Sequence, residues 1–170
     1  MKSLAGYAAP YAAVILIVSA FAQTQPHTPT AAEGLSANFA GVNRKILAMA
    51  KDFPADKYNF RLKPEMRSFG EVIVHIASGN AYAAKAGRGE KVKWDELDPK
   101  NYPAKAVIVA LMEKTIADST ATLKENPEGW QKSLEPFLSV IEHSAEHYGL
   151  LVAYYRANGL VPPESRPKGK

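Results

Sequence analysis

The chain has 170 residues, a formal charge of +4, four histidines and no cysteine. That length suits one domain with a real core, and the absence of cysteine excludes disulfides, thiolate zinc sites and a cysteine nucleophile. The basic excess is mild and scattered, with no aromatic-interleaved stripe, so nothing in it reads as a nucleic-acid surface.

The N-terminus reads as a secretory signal peptide over residues 1–22. Lys2 gives a positive start, Ala12 to Ala20 is almost unbroken apolar sequence, and Ala20-Phe21-Ala22 has the form of a cleavage site. An uncleaved anchor is the alternative. Removing 22 of the 170 residues leaves 148 and lowers the charge by one, to +3. The expected location is periplasmic or extracellular.

Residues 23–35 form a polar, proline-bearing lead-in that contains His27, read as a solvated loop residue. Ser36 is placed to cap a first helix running to about Lys51, and Pro54 ends it. Residues 52–67 connect to a second helix, for which Ser68 and Glu71 have capping-box spacing. Its apolar side carries Phe69, Val72, Ile73, Ile76, Gly79 and Ala83, with His75 among them, and it ends near Gly87-Arg88-Gly89. A polar connection with Trp94, Asp95, Asp98, Pro99 and Pro103 leads to a third helix over about Ala104 to Lys124. Asn126-Pro127-Glu128-Gly129 turns the chain into a last helix, whose interior begins after Pro136 and which stops at Asn158-Gly159. Residues 166–170 read as a solvated basic tail. No strand-like alternation occurs. The fold class is all-α, a four-helix bundle.

The connection between the second and third helices is about 16 residues and reaches ~50 Å when extended, enough to return along a helix of ~28 Å. A parallel second and third helix is therefore permitted. The short turn before the last helix requires antiparallel neighbours.

The chemistry concentrates in Ile141-Glu142-His143-Ser144-Ala145-Glu146-His147. Residues four apart share a helix face, so both imidazoles project together and can grip one metal ion. Val140, His143, His147, Leu150 and Tyr154 step by the register of an inward stripe. His75 supplies a third inward imidazole. Three neutral nitrogens from two facing helices leave a coordination position open, the layout of a catalytic metal rather than a closed structural one. A core histidine satisfied by a carboxylate or carbonyl is the bland alternative.

Glu71 and Glu146 are candidates to orient an imidazole or to serve as a general base, against a plain helix cap and a solvated side chain respectively. Tyr148, Tyr154 and Tyr155 line either a pocket or the core. Asn80 is either a neighbour of the site or a helix contact. No residue is assigned a catalytic role.

The segments Tyr58-Asn59-Phe60-Arg61, Pro64-Glu65-Met66-Arg67-Ser68-Phe69-Gly70-Glu71, His75-Ile76 and Asn80 resemble the early signature of the DinB-like (DinB/YfiT) superfamily. Glu142 to Gly149 and Tyr154 to Pro163 are similar to its late signature, so the likeness covers about residues 36–165. The resemblance implies metal ligands at His75, His143 and His147, an up-down-down-up bundle with a long crossover between helices 2 and 3, and frequent dimerisation. Relatives include thiol-dependent transferases and metal-dependent hydrolases.

The leading expectation is an exported DinB-like protein that binds a divalent transition metal, zinc or nickel ahead of iron or manganese. It would act as a hydrolase or transferase through a metal-activated water or thiol on a small molecule. The rival is a non-enzymatic bundle that binds metal or a small ligand.

Overall fold

The computed structural model describes residues 27–125 and 130–167. The signal segment and the Asn126–Gly129 turn expected from sequence lie outside those residues. Four helices carry the fold: α1 (Ala31–Asp52), α2 (Phe69–Gly87), α3 (Lys105–Glu125) and α4 (Trp130–Ala157). Among the described residues there is no strand, and a single antiparallel bridge joins Arg61 to Ser68. No described helix is long and apolar enough to cross a membrane.

α1 begins at Ala31, five residues before the Ser36 cap expected for it. Thr30 is the N-cap, and its hydroxyl accepts from Glu33 N–H while the Glu33 carboxylate accepts from Thr30 N–H at 2.7 Å. This reciprocal pair satisfies two of the helix's orphan donors. It also lets Leu35 reach the core, where it is buried. α2 starts at the predicted box, with Ser68 Oγ accepting from Glu71 N–H at 3.3 Å and Glu71 accepting from Ser68 N–H at 2.7 Å.

α4 starts at Trp130, directly after the expected turn, and its interior already includes Pro136 instead of beginning after it. It stops as expected. Gly159 takes φ +70°, and Leu160 N–H reaches back to Tyr155 O at 2.9 Å, closing a Schellman-type cap. Arg166 is not solvated tail: its guanidinium holds both carboxylate oxygens of Asp52, at 2.8 and 2.5 Å.

The contacts give the direction of every helix. Gly70 lies against Ile108, Ser119 Oγ donates to Asn80 O, and Thr122 Oγ1 to Ala84 O, so α3 runs parallel to α2. Phe53 stacks on Phe69 with ring centroids 3.8 Å apart, while Asn43 bonds Asn80, so α1 and α2 are antiparallel. Phe39 meets Phe137, and Tyr155 hydroxyl donates to Met49 O, so α4 runs with α1. The order is up-down-down-up, with the α2–α3 connection as the crossover.

Two apolar clusters fill the bundle. One gathers Phe53, Phe69, Ile73, Met112, Leu151 and Tyr155; the other gathers Leu35, Phe39, Ala83, Phe137 and Val140. The buried positions on α4 include Phe137, Val140, Ser144, Leu151, Tyr154 and Tyr155. The core-facing register thus runs through Ser144, one residue on from His143. A one-residue step turns a helix by about 100°, so the two histidines sit on the shoulder of α4 facing α2. They are half-buried there.

Candidate metal centre

The shoulder of α4 meets α2 at His75. His75, His143 and His147 each offer a ring nitrogen, and the three atoms lie within 4.8 Å of one another. His75 Nε2 and His143 Nε2 stand 2.8 Å apart. Ring centroids are 4.7 Å apart for His75–His143, 4.8 Å for His75–His147 and 4.4 Å for His143–His147. Nitrogens bound to a common ion at 2.0–2.1 Å stand about 3.0–3.4 Å apart, so shifts of an ångström or so close the set on an ion.

The donor chemistry fits. Glu96 Oε1 lies 2.9 Å from His75 Nδ1, and an ionised carboxylate only accepts, so Nδ1 carries the proton. The neutral His75 ring then presents its lone pair at Nε2, toward His143. With the His143 proton on Nε2 this 2.8 Å contact is an N–H···N hydrogen bond that leaves Nδ1 a bare acceptor; with the proton on Nδ1 the two Nε2 lone pairs face a position for a cation. His143 Nδ1 is buried with no protein partner. The cluster does not satisfy itself.

Burial is the first cause that lowers the pKa of all three imidazoles, and together with neighbouring positive charge it leaves His143 at about 4. Each is also lowered by the positive charge of Arg67, and His143 and His147 by neighbouring imidazoles. The rings are therefore neutral at pH 7, the form that ligates metal.

The wall around the triad comes from the α2–α3 connection. Trp94 packs edge-on to His143, with centroids 4.8 Å apart, and lies 6.2 Å from His75. It is seated over Gly79, where an added Cβ would stand 2.5 Å from its Cη2 atom. Trp94 also lines a cleft of about 540 Å³ with Tyr82, Lys85, Val92 and Lys93. Glu96, on the same connection, accepts from Arg67 Nη2 at 2.9 and 3.2 Å.

The other candidates lie elsewhere. The Glu71 carboxylate is engaged by the α2 cap and by Arg61 at 2.7 Å. Glu146 is exposed and touches the site through its charge, which opposes the lowering at His147. Asn80 is a helix contact: its amide donates to Asn43 Oδ1 at 2.8 Å in the core. Tyr154 and Tyr155 are core residues; the Tyr154 hydroxyl donates to Arg67 O, while Tyr155 bonds the end of α1. Tyr148 packs on the main cluster, with Lys45 Nζ 5.7 Å from its ring centre. His27 pairs with Glu33 at 3.0 Å beside the α1 cap.

Glu96 and Trp94 carry no periodic signal in sequence, because their segment is not regular structure. The one available hint was Gly79, a residue without a side chain, one turn beyond His75 on the same face.

No curated protein matches the chain. Residues 38–153, which hold all three histidines, match the family model of the DinB superfamily. The chain therefore belongs to the DinB superfamily.

Proposed function

We propose that His75, His143 and His147 hold one divalent transition metal ion, and that the protein is an exported metal-dependent hydrolase or transferase acting on a small molecule. The observation that carries the reading is the convergence of one ring nitrogen from each of His75, His143 and His147 within 4.8 Å, with the His75 proton held on its other nitrogen. An ion held there supplies Lewis acidity and acidifies a water or thiol for attack.

The chain's own residues do the rest. Burial keeps the three imidazoles neutral, and two helices of a self-sufficient bundle fix their positions. Trp94 shields one side of the site while bordering the 540 Å³ cleft, so a bound small molecule has a place next to it. Nitrogen donors without thiolates favour zinc or nickel, with iron and manganese behind. Export rests on the apolar run Ala12 to Ala20 and the Ala20-Phe21-Ala22 site. Dimerisation is part of the same family-based reading.

Elemental analysis of untagged protein from the native compartment tests the proposal. A transition metal bound in proportion to protein supports it, and metal-free protein that also takes up none on titration contradicts it. Cell fractionation tests export, with accumulation of full-length chain in the cytosol as the contrary result.

A further inference from the structure

The connection from α2 to α3 runs over the face of α2 that carries the triad, and it is pinned there. Leu97 N–H donates to Ser78 Oγ at 3.0 Å, and Ser78 is itself buried. The Trp94 ring occupies the space left at Gly79. Between those two anchors lies Glu96, whose Oε1 meets both His75 Nδ1 and Arg67 Nη2 at 2.9 Å. Arg67 in turn lies just ahead of the α2 cap, and its carbonyl accepts the Tyr154 hydroxyl from α4. His75, on α2, is thus held from behind by a carboxylate that the strap delivers and an arginine fixes.

Resting on the metal reading above, we propose that Glu96 is a positioning residue for the metal ligand His75, delivered by the strap of residues 88–98 and fixed by Arg67. It holds the proton on Nδ1 and aims the Nε2 lone pair at the point where His143 and His147 converge. A carboxylate behind a ligating imidazole fixes its tautomer and raises its basicity, and losing such a partner typically weakens metal affinity 10–100-fold. The arginine makes charge-assisted bonds to both oxygens, which keeps the carboxylate from turning away. Glu96 does not touch the reacting position and is no general base.

The test uses full-length mature protein and zinc alone. In metal-free wild type at pH 8, nitrogen NMR should find His75 in the Nδ1–H tautomer; in Glu96→Gln it should become a mixture. Zinc affinity by competition titration should fall about 10–100-fold in Glu96→Gln while the helical melt is kept. Gly79→Ala keeps the carboxylate but displaces the Trp94 ring, so it should weaken zinc binding as well. Wild-type affinity and tautomer in Glu96→Gln would overturn the role of Glu96. Unchanged affinity in Gly79→Ala would overturn delivery by the strap. A wild type that binds no zinc would instead overturn the metal reading itself.

Discussion

Two polar clusters interrupt the apolar interior of this bundle, and they are built in opposite ways. The first lies deep in the core. Asn43 and Asn80 bond each other across α1 and α2 at 2.8 Å, Asn43 Nδ2 also reaches Phe39 O, and Ser119 Oγ reaches Asn80 O. All three residues are fully buried. Each of these donors meets an acceptor, so the cluster joins α1, α2 and α3, and Asn80 Oδ1 alone in it is left buried without a partner. The second is the histidine triad, one helix shoulder away. There the nitrogens of three neutral rings turn toward one another, and the one strong acceptor, Glu96, stands behind His75. A cluster whose donors bond acceptors on neighbouring helices is scaffold; a cluster whose ring nitrogens converge on one point is a receptor for a cation.

The sharpest way to break that contrast is to remove a ring from the triad. His147→Ala should abolish metal binding and leave a cooperative helical domain. Apparent stability should fall mainly by lost linkage, about 2.7 kcal/mol where free metal stood at 100 times its dissociation constant. Thermal melts of the variant beside chelated wild type check this. An unfolded variant would make the triad part of the scaffold after all.

Lowering the pH should have a graded effect on the bound metal. All three imidazoles have folded pKa values below the ordinary 6.5, His143 at about 4. Between those limits the unfolded chain binds more protons than the folded one, so metal-free stability is full above pH 6.5 and falls as the pH drops through the window. The same lowering delays proton competition, so half-release of metal should come below pH 6.5. Dialysis at fixed free metal from pH 7.5 to 4 measures it. Half-release at or above 6.5 would show that the site does not keep its rings neutral.

Disturbing the core cluster should leave metal binding alone. Asn43→Ala strands the Asn80 amide in the core and should cost about 1–3 kcal/mol of stability. Zinc affinity should match wild type. A large loss of affinity would mean that the two clusters are one network.

How much of this was legible in the sequence follows from periodicity. The helices carried clear apolar patterns and turn residues, and Ser68 with Glu71 and Gly159 marked real ends. The Thr30–Glu33 box has the same spacing but follows a proline-rich segment, which masked it. The triad was readable because His143 and His147 are one turn apart and His75 sits in an apolar stripe. Its depth was not. Pattern alone could not separate a core position from its neighbour around the helix, and Ser144, not His143, is the residue turned fully inward. Glu96 was hidden because it lies 21 residues from His75 on a segment with no repeat.

The central claim is that the three imidazoles share one ion and leave room for another ligand. A crystal structure of the zinc-loaded protein with anomalous data at the metal edge tests it most directly. The expected result is a single peak bounded by nitrogens of His75, His143 and His147 at ~2.0–2.1 Å, with a further position facing solvent or the Trp94 cleft. A peak that any one of the three histidines fails to reach, or no peak between them, would contradict it.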